Sequence, residues 1–343
     1  MPAAIGRTTR VLMSPREDRR ISVRAENFAE SASFELGDPG PSQKPHWSDY
    51  VRGIAVMLES AGFRLQGADL FIKSDLPVGA GFSSSAALEV STALALLARS
   101  SIDINKRELA LLCQRAENDF VGVRCGIMDQ LASCMGLKDH ALLLDCRTLD
   151  IEYVPIPAQI RLVVCNSMVK HALASGEYNL RRQECEGAVE VLSRFNPQIR
   201  QLRDATTADL DNLRALPDST LFRRASHVVS ENQRTLDGAA ALRDADLRAL
   251  GGLMIASHES LRDDFEVSCR ELDILFEIAV TQAGVYGSRM MGGGFGGCTI
   301  SVVEQKFADS FEETITREYF SRTGIHCETY ILEASAGAGE RTA

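Results

Sequence analysis

The sequence predicts an α+β protein built from two domains. Its 343 residues suffice for two ordinary domains. Strand and helix patterns are mixed in both halves without regular βα alternation, which argues against a doubly wound sheet. A proline-bracketed stretch, Pro155 to Pro157, separates the halves. Residues 1–156 and 157–343 are therefore the expected domains.

Taken in order, the chain opens strand-rich and breaks at Gly37 to Lys44, a run dense in turn formers. Trp47 to Ser60 reads as a helix and Ala68 to Lys73 as an alternating strand. Leu76 and Pro77 lead into a glycine loop, after which Ser83 or Ser84 is placed to cap an Ala-rich helix reaching about Arg99. Asn105 to Asp119 is the clearest helix. Asn105 and Glu108 have capping-box spacing, and Leu109, Leu112, Cys113, Ala116 and Phe120 form one apolar stripe. Gly126 opens a short helix, and His140 to Tyr153 returns to strand. The second half reads as a buried strand (Ile160 to Cys165), helices from Ala188 to Ala283 and a second glycine loop. A strand (Cys298 to Val303), a helix and a last strand (His326 to Leu332) complete it.

Composition removes several function classes. The apolar fraction is 45% and the charged fraction 24%, ordinary for a globular protein. Nine cysteines, an odd number without any CxxC pair, suit reduced thiols in a cytoplasm better than a disulfide framework or a zinc site. The net charge of −10 carries no basic stripe, so nucleic acid is not an expected partner. No segment approaches the roughly 20 apolar residues that span a membrane, and Met1 to Arg10 lacks a signal peptide's apolar stretch. A cytoplasmic monomer is expected.

The strongest chemical signal is Pro77-Val78-Gly79-Ala80-Gly81-Phe82-Ser83-Ser84-Ser85. Its glycines let backbone approach an anion, its serines supply donors, and the following helix points free N–H groups into the same space. No Gly-Lys-Ser/Thr is present, so it is not a Walker loop. Ser84 stands where a dinucleotide fingerprint needs its third glycine. The plain alternative is a Gly-Ser connection before a helix.

That loop resembles the ATP loop of the superfamily containing galactokinase, homoserine kinase, mevalonate kinase and phosphomevalonate kinase. Gly287 to Cys298, with its Gly292-Gly293-Gly294-Phe295-Gly296-Gly297 core, resembles the superfamily's third motif. Cys125 to Gln130, Lys170 to Asn179, Ser257 to Phe265 and Val267 to Asp273 narrow the resemblance to galactokinase. The resemblance implies a ribosomal-protein-S5-like first domain and a ferredoxin-like second one. It implies ATP-dependent phosphorylation of D-galactose at the anomeric hydroxyl, giving galactose 1-phosphate. Gly79, Ala80, Gly81, Phe82, Ser83, Ser84 and Ser85 would then hold ATP, with Trp47 stacking on adenine. Ser85 and Glu117 would position Mg²⁺, an ion content with one or two protein oxygens. Asp129 would be the catalytic residue, approaching the sugar hydroxyl beside Gly126, and Tyr178 would bind the sugar. Each has a plainer reading: Glu117 as a solvated helix residue, Asp129 as a first-turn acid suited to the helix dipole, Trp47 and Tyr178 as packing.

One family motif, Gly-Arg-x-Asn-x-x-Gly-Glu-His-x-Asp-Tyr, has no counterpart in these residues. It carries an arginine implicated in charge stabilisation and the groups that grip the sugar. The expectation is a gene start placed too late rather than a shortened protein, and a chain that binds MgATP better than it turns over sugar. Two rival functions stand beside this one: an ATP- and sugar-loaded sensor, and a sister kinase acting on another sugar such as N-acetylgalactosamine.

Overall fold

The computed structural model describes residues 1–37, 40, 46–77, 81–170 and 174–339, with only the backbone of Lys170, Ala174, Ser175 and Tyr178. Two compact units result: Met1–Tyr153 with Ala334–Ala343, and Val154–Glu333. The division falls just before the Pro155–Pro157 stretch, and the tail from Ala334 belongs with the first unit.

In the first unit, β1 (Thr9–Pro15), β2 (Arg20–Ala25), β3 (Glu30–Glu35) and β4 (Ala68–Ser74) form a sheet in the order β1-β4-β2-β3. Only the β2–β4 pair is parallel. Alternation decides which face is covered. Ile21, Val23 and Ala25 of β2 and Ala68, Leu70 and Ile72 of β4 point inward, while Arg20 and Arg24 point out. Against that face lie α1 (Ser48–Ser60), α2 (Ser84–Arg99), α3 (Lys106–Arg115) and α4 (Met128–Met135). Ile54, Leu58, Val90, Leu97, Leu109 and Leu131 meet the strands in one apolar cluster.

Four local expectations need correction. Ser83 precedes α2 in a left-handed conformation (φ 53°) and its side chain caps nothing. Asn105 does cap α3, but by accepting from the Arg107 N–H at 2.9 Å, with no bond returned by Glu108. The α-helix stops at Arg115 and continues as a π-turn, Ala116–Val121, ended by Gly122 at φ 87°. The His140–Tyr153 segment is also two paired strands, β5 (His140–Leu144) and β6 (Ile151–Pro155). Asp145 folds the turn between them by accepting from the N–H groups of Arg147 (2.7 Å) and Thr148 (3.2 Å).

The second unit holds an antiparallel sheet ordered β10-β7-β9-β8: β7 (Ile160–Lys170), β8 (Val285–Met291), β9 (Gly296–Glu304) and β10 (Glu328–Leu332). Val163, Cys165 and Val303 pack under α9 (Arg270–Val280) and α10 (Ala308–Thr323), where Leu275, Ile278, Phe311, Ile315 and Tyr319 close the core. A separate cluster joins α5 (Ala174–Phe195), the short α6 (Asp211–Arg214) and α7 (Thr220–Arg243) through Ala188, Leu192, Leu213 and Ala225. Helix α8 (Leu247–Asp263) ends in a turn whose carbonyls are held by arginines. Arg181 donates to Phe265 O (2.7 Å) and Glu266 O (3.0 Å), and Arg224 donates to Asp264 O (2.6 Å).

The glycine loop between β8 and β9 rests on that turn. The Phe295 N–H donates to Val267 O at 2.7 Å, and a Cβ at Gly294 would lie 2.1 Å from the same oxygen, at a backbone φ of +85°. Gly294→Ala is therefore expected to cost at least about 2 kcal/mol from left-handed strain and clash together. Thermal melting should show a fall of several degrees; an unchanged Tm would contradict this packing.

Candidate active site

Three elements of the first unit bring a set of carboxyls together. Helix α2 carries Ser85 at its start and Glu89 one turn later; the π-turn carries Glu117; α4 carries Asp129 and Gln130. The π-turn, a geometry frequent at functional sites, also shapes the loop that follows it. Asn118 Oδ1 accepts from the Cys125 N–H (2.9 Å), Glu117 O accepts from the Val123 N–H (3.0 Å), and Gln114 donates to Cys125 O (3.2 Å). The short stretch containing Gly126 is thereby fixed as it enters α4.

The cluster is buried and acidic. Glu89 is fully buried, Glu117 and Gln130 nearly so, and Asp129 half-buried. The Gln130 amide Nε2 donates to Glu117 Oε2 (2.9 Å) and to Glu89 Oε2 (3.1 Å). The Ser85 hydroxyl and the Cys125 thiol also lie beside Glu117 and favour its charged form. Among the described residues neither Glu89 nor Glu117 has an ion-pair partner, and Glu89 Oε1 and Gln130 Oε1 have no hydrogen-bond partner at all.

Titration follows from that environment. Burial, reinforced by the Glu117 charge, pushes the Glu89 carboxyl up to about 9. Burial also raises Glu117, against the pull of the Cys125 and Ser85 side chains beside it, and the Asp129 charge adds to the rise. The Tyr50 phenol on α1 is pushed up to about 12 by burial and by the charges of Glu117 and Glu89. Glu89 thus keeps its proton when folded at neutral pH and loses it when unfolded, where a glutamate titrates near about 4.3. The folded state binds the extra proton, so stability falls as pH rises from the unfolded value toward about 9. Metal-free protein should melt lower at pH 8.5 than at pH 5.5, and Glu89→Gln should flatten that slope. Parallel slopes for the two proteins would contradict the assignment.

The other expected site residues are placed as follows. Gly81 (φ 82°) and the buried Phe82 lead into α2. Ser83 O accepts only the Ala87 N–H, leaving the amides of Ser84, Ser85 and Ala86 at the open end of the helix. Trp47 begins α1, stacked on Phe28 with ring centroids 5.8 Å apart, and its indole N–H donates to Glu30 (2.8 Å). Gly79, Ala80 and the side chain of Tyr178 lie outside the described residues.

Comparison with known proteins settles the family. The description "GHMP kinases N terminal domain" fits residues 49–137, and "GHMP kinases C terminal" fits residues 239–321. The galactokinase of Roseiflexus sp. (strain RS-1) is 46% identical over 339 residues, covering 98% of this chain and 86% of the relative. The chain belongs to the galactokinase family of GHMP kinases. The galactokinase of Actinobacillus succinogenes is 42% identical, covering 98% of this chain and 88% of its own. The structure of Lactococcus lactis galactokinase complexed with galactose matches with a TM-score of 0.93 at 36% identity, over 98% of this chain and 87% of that one. A mevalonate kinase structure, at 16% identity, a TM-score of 0.65 and coverage of 98% and 92%, shares the fold. This galactokinase-family chain is thus a kinase with the two-domain α+β fold expected from its sequence. No helix among the described residues is long and apolar enough to cross a membrane.

Sequence reasoning missed Glu89, Gln130 and Tyr50. Glu89 stands four residues after Ser85, hence on the same helical face, as the one acid in an otherwise apolar run. Gln130 interrupts the stripe Ile127, Leu131, Cys134 at a core position. Both signals were present as polar residues where apolar ones belong.

Proposed function

We propose that the chain phosphorylates D-galactose at its anomeric hydroxyl with ATP, giving galactose 1-phosphate, as a monomer. The observation that carries this reading is the Ser85 hydroxyl set beside the Glu117 carboxyl in a buried carboxyl cluster that has no cation among the described residues, at the mouth of α2 and beside Asp129. Membership of the galactokinases supplies the sugar.

The residues present fit a magnesium ion. A hydroxyl and a carboxylate are hard oxygen donors, and no cation among the described residues already neutralises Glu117. No group of three or more His, Cys, Asp or Glu among the described residues is arranged to hold a metal; an ion taking one or two protein oxygens needs none. When bound there, magnesium would neutralise charge developing on the phosphates. The N–H groups of Ser84, Ser85 and Ala86, with Gly81 and the loop before it, bind phosphate oxygens and orient the γ-phosphate. Asp129 accepts a hydrogen bond from the anomeric hydroxyl and holds it in line. As a carboxylate it takes the proton late, as the O–P bond forms and ADP leaves. Tyr178 and Gly126 bind the sugar, and Trp47 stacks on adenine.

The reading is tested by ADP release on a panel of sugars that includes galactose and N-acetylgalactosamine. Galactose-dependent turnover is expected; binding of both ligands without turnover would instead make the protein a sensor. Trp47 is the only tryptophan in the chain, so ATP should alter the intrinsic fluorescence. Emission that stays constant to saturation would remove Trp47 from the adenine site.

A further inference from the structure

We infer that Gln130 is a positioning residue, whose amide locks the Glu117 carboxylate in place and ties it to the helix carrying Asp129. This rests on the reading of Ser85 and Glu117 as metal ligands and names a residue which that reading does not assign.

The argument begins with cost. Gln130 occupies a core position on α4, 1% exposed, where an apolar side chain would fit the stripe of Ile127, Leu131 and Cys134. A buried amide is unfavourable unless its polar atoms are paired. Here only half of it is paired: Nε2 donates to Glu117 (2.9 Å) and Glu89 (3.1 Å), while Oε1 has no partner. Turning the amide over would aim its oxygen at the Glu117 carboxylate, so that neighbour fixes its orientation. An unpaired carbonyl is tolerated in order to keep the donor aimed at those oxygens.

The choice of an amide also has a chemical consequence. Arginine or lysine at this position would donate to Glu117 too, but its charge would neutralise the carboxylate and oppose a metal cation. An amide donates without charge. Glu117 is held by one oxygen and keeps its negative charge for a metal.

Placement gives the role its reach. Glu89, Glu117 and Asp129 sit on three separate elements, α2, the π-turn and α4. Gln130 touches the first two with its side chain and adjoins the third along the backbone. Successive helix residues point about 100° apart. Asp129 therefore stays half-buried at the site while Gln130 turns into the core. Gln130 thus ties the metal ligand directly to the helix that carries the group orienting the sugar.

Calorimetric titration of ADP, with magnesium and with chelator, separates this role from plain packing without using turnover. Gln130→Met, close in shape but without a donor, is expected to weaken MgADP binding about 10- to 100-fold, the usual effect of removing the partner of a metal ligand. Its affinity for metal-free ADP should change far less. Gln130→Glu replaces the donor by an acceptor and should lose at least as much; it is read the same way should Gln130→Met fail to fold. Equal losses with and without magnesium, or no loss, in a variant whose wild-type parent shows magnesium-dependent binding would overturn the inference alone. A wild-type protein whose ADP affinity ignores magnesium would overturn the parent reading as well.

Discussion

Asp129→Asn is expected to lower kcat for galactose phosphorylation by about 10²- to 10⁴-fold, the range for removing a positioned acid–base group. The asparagine keeps the shape and a hydrogen-bonding oxygen but has no charge to offset the developing positive character of the attacking hydroxyl. ATP binding should be nearly unchanged, because the amides at the start of α2 and Ser85 are untouched. Removing the charge also relieves Glu117 and Glu89, whose carboxyls it helps to raise. Nucleotide affinity in the presence of magnesium is thus expected to hold steady or tighten slightly. Steady-state kinetics on purified variant and parent decide the matter. A kcat within about threefold of the parent would remove Asp129 from the chemistry.

Glu117→Ala should have an effect of similar size through a different constant. It removes the buried carboxylate that Ser85, Cys125 and Gln130 converge on. What remains is a pocket with Glu89 protonated and no full negative charge at the ligand position. Magnesium activation should then need far higher metal concentrations, and kcat/KM for ATP should fall by about 10³-fold or more, the scale of losing phosphate-charge stabilisation. KM for galactose should shift little, since Glu117 is assigned no sugar contact. A variant that loses galactose affinity while keeping its magnesium dependence would place Glu117 with the sugar.

Much of this was legible in the residues, for identifiable reasons. Helices α1 and α3 and strand β4 were readable because each buries one face, so period 3.6 or period 2 is written into the apolar positions. The phosphate loop was readable because close approach to an anion demands glycine and small donors. The π-turn was not. A single widened turn leaves no mark on an apolar stripe, yet it places Glu117 and Asn118. The β5–β6 turn was missed because it has neither glycine nor proline to mark it, and Asp145 forms the bend through its side chain. Ser83 looked like a cap because serine usually is one. Here the backbone is left-handed and the side chain caps none of the helix's first amides.

The carboxyl cluster shows the same limit. Ser85, Glu117 and Asp129 were named from motif positions, whereas Glu89 and Gln130 came only from geometry. A motif marks the groups that touch a ligand; the groups that hold those ligands in place look, in one sequence, like stray polar residues in a core. Gln130 on an apolar stripe and Glu89 in an Ala-rich helix are both of that kind.

Crystals grown with ADP and Mn²⁺, which favours the same oxygen ligands as magnesium, offer the most direct test. An anomalous-scattering peak is predicted at coordination distance, about 2.0–2.3 Å, from Ser85 Oγ or a Glu117 carboxylate oxygen, with the ADP phosphates on the α2 amides. A metal peak away from both residues, or phosphates bound elsewhere than the start of α2, would contradict the proposed site.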